Sequence, residues 1–427
     1  MRSNWRKSMI WLAALAGLIL LINVVFFNAM PKPKRVIEPI QIEHGVSDPA
    51  FIRSASALLG SPVLEGNHVE VLRDGPEIYA AKIAAIEAAE RSVSLETYEF
   101  WGEEAAGAMT DALVAAAERG VKVRALPDYI GSVLAAGEKF ERLAEAGVDV
   151  IRWRQPSWYD FSRFNHRTHR KLLIVDGSTG FIGGANISDN WLPDEDGDAY
   201  RDNHFKVTGP VVASLQAAFM ETWLDARGEL LTGNAWFPEL EPVGEISAQV
   251  IDSAPREGRH RVRMMFLHAI AAAEHQITVS TAYFYPDKGF IDALQDAAER
   301  GVEVRIMVPG ESIDQGYLRH ASVNRWGPML EAGVKLYEYQ PSMYHSKLMS
   351  IDDAWASIGS ANLDNRSFRI NSEANLTFYD EAFAVVIREL IEEDLGDARH
   401  YSLEEWQDRP WRKRVFGLFG MLIGIYL

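Results

Sequence analysis

The chain has 427 residues, more than one ordinary hydrophobic core accommodates, so two domains or an internal duplication are expected. Its formal net charge of -17 disfavours nucleic acid as a partner, because proteins that hold a nucleic-acid backbone generally present a basic face. The sequence contains no cysteine, which excludes disulfides, thiolate metal ligands and cysteine nucleophiles.

The N-terminus begins with a candidate membrane anchor. An apolar run extends from Met9 to Phe27 and is interrupted only by Asn23. At about 1.5 Å per residue, a helix of this length crosses a hydrocarbon core of roughly 30 Å. A cleaved signal peptide is the alternative, although its apolar region usually has about 7–15 residues. We predict a retained transmembrane helix within residues 1–30 and a linker over residues 31–66. Basic residues flank the run equally, which leaves its orientation open.

The C-terminus carries a basic cluster beside a short apolar segment. Residues Arg412 to Arg414 are all basic and precede an apolar stretch over residues 415–427. This stretch is too short to span a bilayer comfortably, but a basic cluster beside it suits a helix that lies on anionic lipid. A terminal helix packed on the core is the alternative. We predict that residues 401–427 form a membrane-associating tail.

Between its two ends the sequence repeats itself. Residues 111–124 read DALVAAAERGVKVR, and residues 292–305 read DALQDAAERGVEVR. Each copy has helical spacing, then a glycine that stops the helix, then a strand-like segment. Recurring units of this kind are typical of an α/β sheet covered by helices. We therefore predict two related α/β halves, over residues 67–240 and 248–400.

Each half contains the same longer motif, HxKxxxxD, and a short run ending in asparagine follows it after six residues. The candidate catalytic residues of the two copies are His169, Lys171, Asp176, His345, Lys347 and Asp352. An apolar strand-like segment follows each lysine. Because side chains alternate along a strand, the histidine and the lysine of each copy share one face.

The residue types fit phosphodiester chemistry. A neutral imidazole can attack phosphorus, and a second one can protonate the departing alkoxide. Two lysines and two asparagines can hold the non-bridging oxygens and balance charge in the transition state. This set requires no divalent ion, so we predict neither a metal nor another cofactor. The acidic loop at residues 194–198 lacks the length and the terminal glutamate of an EF-hand, so it is predicted to be solvated.

The paired motifs resemble those that define the phospholipase D superfamily, and within it those of bacterial cardiolipin synthases. The likeness runs from about residue 75 to the end of the chain. The segments that carry it are 165–171 (NHRTHRK), 181–186 (FIGGAN), 281–287 (TAYFYPD) and 362–368 (NLDNRSF), with Asn371 and Glu373. The resemblance implies two homologous phospholipase D-like halves, each a mixed β-sheet flanked by helices. It also implies one active site at their interface, with one motif from each half.

The same resemblance implies a role for each site residue in a two-step reaction through a phosphohistidine. His169 is then the nucleophile, and His345 is the general acid and later the base for the incoming alcohol. The implied phosphate ligands are Lys171, Lys347, Asn186, Ser360 and Asn362. The two motif aspartates hold local structure rather than touch substrate.

Two further carboxylates are expected behind the imidazoles. Glu373 matches a family carboxylate that could orient a catalytic imidazole, and Asp202 could do the same for the first half, although its spacing from Asn186 differs. The commoner superfamily pattern after the motif is GSxN. Here Gly184 replaces the serine in the first half, while Ser360 keeps it in the second.

The sequence resolves the reaction better than the substrate. Interleaved arginines and aromatic residues before the first motif suit the headgroup boundary of a bilayer, although they would also suit stacked single-stranded bases. These residues are Arg152, Trp153, Arg154, Trp158, Tyr159, Phe161, Arg163 and Phe164. The membrane segments and the acidic charge favour lipid.

We therefore predict a cardiolipin synthase-type phosphatidyltransferase of the bacterial inner membrane, with phospholipids as its partners. The resemblance implies that donor and acceptor are both phosphatidylglycerol and that the products are cardiolipin and glycerol. A phospholipase D hydrolase that releases phosphatidic acid is the alternative, followed by a membrane-tethered nuclease and a non-catalytic lipid-binding scaffold. The oligomeric state and the side of the membrane that carries the catalytic body stay open.

Overall fold

The structure is a computed structural model that describes residues 40, 42–135, 137–155, 165–255, 259–414 and 417, with six positions between 9 and 18. The chain divides into two compact units, Met1–Pro39 and Ile40–Leu427. The predicted anchor and apolar tail lie almost wholly outside the described residues, and so do residues 156–164. In the part of the chain that is described, each helix is too short or too polar to span a membrane.

The second unit alternates helices and strands. In the described part of the chain, the strands β1 to β17 are Leu64–Arg73, Ser92–Thr97, Lys122–Pro127, Asp149–Val150, Leu172–Val175, Thr179–Gly183, Asn203–Thr208, Ile246–Ser253, Gln276–Ser280, Phe284–Tyr285, Glu303–Pro309, Lys335–Tyr339, Leu348–Ile351, Trp355–Gly359, Leu363–Asp364, Glu373–Phe378 and Ala398–Tyr401. The α-helices are Pro49–Leu59, Asp74–Glu87, Ala105–Glu118, Gly137–Glu145, Val212–Arg227, Arg261–Ala272, Lys288–Glu299, Gly316–Val323, Gly327–Glu331, Asn365–Arg369, Glu381–Leu395 and Leu403–Gln407.

One continuous mixed sheet runs through both halves of the repeat. Its strand order is β17-β12-β11-β9-β13-β14-β16-β8-β1-β7-β6-β5-β2-β3-β4, and a small parallel pair, β10 and β15, lies apart from it. The strands before residue 240 form one side of this order and the later strands form the other. The predicted α/β class with a mixed sheet and flanking helices is therefore confirmed.

The two sides meet where β1 pairs antiparallel with β8, and a buried asparagine fixes this junction. The Asn67 amide donates to the backbone oxygens of Leu64 and Ile246, at 2.7 and 3.0 Å. Its oxygen accepts from the Val211 backbone N–H at 2.8 Å. One hydrophobic core also takes residues from both sides, including Phe205 and Leu376. The halves are thus joined through both backbone pairing and a shared core.

The helix–glycine–strand units of the repeat form as predicted. The helix Ala105–Glu118 leads through Gly120, with φ of 89°, into β3. The helix Lys288–Glu299 leads through Gly301, with φ of 94°, into β11. A positive φ is readily adopted by glycine, which explains why this residue recurs at the turn.

The segment that opens the predicted tail belongs to the folded unit. β17 pairs antiparallel with β12, and the Trp406 indole N–H donates to the Val323 oxygen at 2.7 Å. The remaining apolar stretch after residue 414 is described only at Gly417.

Each HxKxxxxD motif spans one fully buried strand, β5 in the first half and β13 in the second. The histidine precedes the strand, and the aspartate follows it at a positive φ of 53° in both halves. Asp176 accepts three hydrogen bonds from the backbone N–H groups of residues 90–92, at 2.7 to 3.0 Å. Asp352 accepts three from residues 274–276, at 2.7 to 2.8 Å. Each aspartate therefore fixes the turn that leads into the neighbouring strand, β2 or β9.

Replacing Asp176 or Asp352 with alanine should destabilise the fold. Three backbone donors lose a charged acceptor in each case, so we expect a loss of about 1–3 kcal/mol in the free energy of unfolding. Denaturant unfolding followed by circular dichroism measures this loss. Asp194→Ala is the matched control, because Asp194 accepts two backbone N–H bonds at 2.9 Å in an exposed loop. Equal, small effects for all three variants would contradict the structural role.

Candidate active site

The two motif histidines lie at the junction between the halves, each attached to the opposite half by its backbone. The His169 N–H donates to the Ser372 oxygen at 2.9 Å, and the His345 N–H donates to the Arg201 oxygen at 2.8 Å. Each acceptor immediately precedes a buried acidic residue, so the same contact brings a carboxylate behind each imidazole.

The carboxylates are paired with the imidazoles across the halves. His169 Nδ1 lies 3.0 Å from both carboxylate oxygens of Glu373, and His345 Nδ1 lies 3.0 Å from Asp202 Oδ2. The expected role of Glu373 behind an imidazole fits this contact. The expectation that Asp202 serves its own half is wrong, because strand pairing at the junction brings it to His345.

Burial and these contacts determine the protonation states of the two imidazoles and the two carboxylates. Burial lowers the pKa of His169 to about 4 and that of His345 to about 3, although the carboxylates oppose this. Burial alone would raise the pKa of Glu373 and of Asp202, but their histidine partners lower both below the usual range. At neutral pH the imidazoles are therefore neutral and the carboxylates are ionised. Since a carboxylate only accepts hydrogen bonds, Nδ1 carries the proton and Nε2 is left with a lone pair.

Further donors hold each carboxylate in place, and they differ between the halves. Glu373 accepts from the hydroxyls of Ser360 and Ser367, at 2.6 and 2.8 Å. Asp202 accepts from the Trp191 indole and the Asn203 backbone N–H, at 3.0 and 2.8 Å. The prediction that Ser360 binds phosphate does not fit this contact, because its hydroxyl is buried and donates to Glu373.

The first half has glycine where the second has serine, and the different carboxylates of the two halves explain why. A side chain at Gly184 would place its Cβ 2.4 Å from Asp202 Oδ1 and 2.8 Å from the His345 backbone oxygen. Asp202 and the His345 backbone thus leave no room for a side chain at position 184. At the equivalent position of the second half, the side chain of Ser360 fits beside Glu373. Glycine with aspartate and serine with glutamate are two solutions to one packing problem.

The motif lysines are buried beside their own histidines. Lys171 donates to the His169 backbone oxygen at 2.7 Å, and Lys347 donates to the His345 backbone oxygen and lies 3.0 Å from its Nδ1. Burial lowers the pKa of Lys171 to about 7 and of Lys347 to about 8, while nearby carboxylates raise both. An ammonium has three donors, so each lysine can also contact a phosphate oxygen.

The two predicted asparagines complete the set. Asn186 Oδ1 accepts from the Glu99 backbone N–H at 3.2 Å, which leaves the amide hydrogens of Asn186 available to a ligand. The Asn362 backbone N–H donates to the Ser367 hydroxyl at 3.1 Å, and its side-chain oxygen has no hydrogen-bond partner among the described residues. The structure therefore brings together both histidines, lysines and asparagines. It leaves Asp176 and Asp352 at the far ends of their strands.

Aromatic rings that sequence reasoning missed surround the imidazoles. The Tyr98 ring lies 5.4 Å from that of His169, and the rings of Trp191, Tyr200 and Tyr283 lie 5.0 to 6.4 Å from that of His345. The sequence offered a signal for Tyr98 and Tyr283, because the segments 98–100 and 281–284 that hold them directly follow the equivalent strands β2 and β9.

A buried carboxylate at the same site was also missed. Burial raises the pKa of Glu99 to about 7, although Lys171 opposes this shift. Its Oε2 is buried and has no hydrogen-bond partner in the described part of the chain.

The acidic loop at residues 194–198 is exposed and folds back on itself, as predicted for a solvated loop. The Asp194 carboxylate caps the backbone N–H groups of Asp196 and Asp198. Among the described residues, no group of three or more histidine and acidic side chains is placed to hold a metal ion.

Comparison with known proteins identifies the family. The family described as cardiolipin synthase, phospholipase D-like domain, matches residues 83–223 and 266–395, one segment in each half. The chain belongs to this family. As a member, it is a phospholipase D-type phosphatidyltransferase, which confirms the sequence prediction.

Relatives from distant bacteria support this membership. Cardiolipin synthase A of Pseudomonas entomophila (strain L48) is 34% identical over 361 residues, which cover 84% of this chain and 75% of that protein. The major cardiolipin synthase of Bacillus subtilis (strain 168) is 34% identical over 355 residues, which cover 82% and 73%. The phosphatidylserine synthase of Haemophilus influenzae Rd KW20 shares the fold, with a TM-score of 0.66 at 15% identity over 88% of this chain and 100% of that one.

The crossed pairing can be tested by nuclear magnetic resonance of the imidazole nitrogens. We expect both motif histidines to be neutral at pH 6.5, where an ordinary imidazole is half protonated, because burial lowers their pKa values. Glu373→Gln should shift the Nδ1 signal of His169 alone, and Asp202→Asn that of His345 alone. The exposed His68 gives the reference signal of an imidazole outside the site. A response of each histidine to the acid of its own half would contradict the crossed arrangement.

Proposed function

We propose that the protein transfers a phosphatidyl group from one phosphatidylglycerol to a hydroxyl of another, forming cardiolipin and releasing glycerol. The observation that carries the proposal is the single buried centre at which two neutral imidazoles, each backed by a carboxylate from the opposite half, lie among two lysines and two asparagines. The names of the relatives support the lipid identity. The geometry supports the reaction type.

In the first step, His169 Nε2 attacks phosphorus and forms a phosphohistidine, while His345 protonates the departing glycerol oxygen. Attack from Nε2 is expected because Nδ1 of His169 is committed to Glu373. As the new bond forms, the imidazole gains positive charge, which the carboxylate stabilises. The lysines and asparagines hold the non-bridging oxygens.

His345 needs a proton before it can act as an acid. Burial keeps it neutral, but a bound phosphate anion favours the imidazolium and so raises its pKa. We therefore infer that substrate binding brings a proton to His345. In the second step the neutral His345 takes the proton of the acceptor hydroxyl, and this oxygen displaces His169 from phosphorus.

The membrane setting remains part of the proposal. The apolar run from Met9 to Phe27 supports a single N-terminal anchor, and the bacterial relatives support the inner membrane. Such an anchor would hold the catalytic unit near its lipid substrates. We also propose that the two homologous halves extend over residues 67–240 and 248–400.

The reaction can be tested with purified protein and phosphatidylglycerol vesicles in the presence of a chelator, with products resolved by mass spectrometry. We expect cardiolipin and glycerol in equal amounts, and a loss of at least about 1000-fold in turnover for His169→Ala and for His345→Ala. The exposed His68→Ala variant is the matched control and should keep full activity. If phosphatidic acid is the sole product, the protein is a phospholipase D hydrolase and not a synthase. If no lipid product forms, both activities are contradicted.

The nucleophile can be identified by trapping the intermediate. A phosphatidyl donor with p-nitrophenol as leaving group needs little acid catalysis, so His345→Ala should still complete the first step. Without its base the second step should be slow, and phosphatidyl-His169 should accumulate. Tryptic mass spectrometry at neutral pH locates the modified residue. If His345 is modified in the His169→Ala variant and His169 is not modified in the His345→Ala variant, then His345 is the nucleophile and His169 is the general acid.

A further inference from the structure

Arg167 is a cation next to the reaction centre, and no described residue is its acidic partner. It stands two residues before His169, and its backbone oxygen accepts from the Ser372 N–H at 2.9 Å. Its Nη1 donates to the Tyr98 hydroxyl at 2.5 Å, while its Nε is buried and has no hydrogen-bond partner in the described part of the chain. Among the described residues, no carboxylate oxygen lies within ion-pair distance of it, whereas Arg201 pairs with Asp394 at 2.8 Å. Half-buried guanidinium groups normally have such a partner.

A second arginine reaches the same place from the other half. Arg366 donates to the side-chain and backbone oxygens of Asn165, both at 3.0 Å, and to Asn371 Oδ1 at 3.3 Å. Burial lowers the pKa of Arg366, and the nearby charge of Arg167 lowers it further. Because Arg366 holds Asn165, which lies two residues before Arg167, the two arginines reach the same part of the junction.

Asp128 and Asp364 lie nearby, and within the described residues neither forms an ion pair with Arg167. Asp128 accepts backbone N–H bonds from Ile130, Gly131 and Thr168, at 2.9 to 3.2 Å. Burial raises the pKa of Asp128 to about 7 and that of Asp364 to about 6. A phosphate anion bound beside Arg167 would give this cation a negative partner.

One aromatic ring, that of Tyr98, separates Arg167 from the proposed nucleophile. The Tyr98 ring centroid is 5.4 Å from the His169 ring, 5.5 Å from Arg167 Cζ and 5.6 Å from Lys171 Nζ. The reacting phosphate already has lysines and asparagines as ligands. A guanidinium fork matches a phosphate well, so the pair suits a second phosphate a headgroup's length from the first.

We propose that Arg167 and Arg366 bind the phosphate of the acceptor phospholipid. This inference rests on the proposed function, in which the acceptor carries a phosphate diester of its own beside the attacking hydroxyl. Water and free glycerol carry none. The arginine pair would thus select a phospholipid over water at the phosphohistidine and favour synthesis over hydrolysis.

The test measures how the phosphohistidine divides among acceptors. In detergent micelles, a p-nitrophenyl phosphatidyl ester is the donor, and phosphatidylglycerol, deuterated glycerol, glycerol 3-phosphate and water compete as acceptors. Mass spectrometry distinguishes the four products. Because the ratios are set after the first step, they do not depend on the fraction of folded or active enzyme.

We expect Arg167→Gln to lower the ratio of cardiolipin to phosphatidic acid about tenfold or more, as for loss of a charged hydrogen bond. The glycerol 3-phosphate product should fall with it, while the product from deuterated glycerol keeps its ratio to phosphatidic acid. Arg366→Gln should act in the same direction. Arg167→Lys should show a smaller loss, because it keeps the charge but not the fork.

One variant serves as the control. Arg388→Gln makes the same charge change on a helix where the arginine pairs with Asp353 and Glu392, and it should leave the ratios unchanged. Unchanged ratios in Arg167→Gln, or an equal fall for deuterated glycerol, would overturn the inference. A wild-type enzyme that forms no cardiolipin from this donor would instead overturn the proposed function.

Discussion

The hydrogen bond between each imidazole and a carboxylate from the opposite half is the contact on which the site depends. It fixes which ring nitrogen carries the proton, and thereby which nitrogen faces the substrate. It also joins residues that are 204 and 143 positions apart in the chain. Such contacts persist only if the surrounding backbone is held firmly, and the continuous sheet with its buried Asn67 provides that support. The chemistry of this family member is thus a property of the junction between the halves.

The near-symmetry of the junction conceals a local difference. Glutamate with two serine donors stands on one side, and aspartate with an indole donor and a glycine neighbour stands on the other. A carboxylate one methylene shorter has to come closer, so the space that a serine would fill has to be empty. The two histidines therefore have different surroundings, which fits the different tasks proposed for them.

The repeat made much of this architecture predictable. Helix, glycine and strand could be placed in both halves because their signals are local, and the structural role expected of the motif aspartates stays a prediction. The partner of Asp202 could not be predicted, since it depends on which strands meet at the junction. Ser360 was misjudged because its contact with Glu373 is a matter of side-chain packing. Arg167 lies within the family-like segment 165–171, but nothing in that pattern gave it a role, and the contact of Tyr98 with His169 depends on the fold.

The crossed contacts constrain how the two halves can change over generations. A duplicated domain whose copies each held a whole site could lose one site while the other continued to work. Here a half that lost its histidine would still have to supply the carboxylate for the remaining imidazole, and the shared core would still need its strands. Neither copy can decay into a passive remnant, so the halves are inherited as one unit and their substitutions have to be compatible with each other.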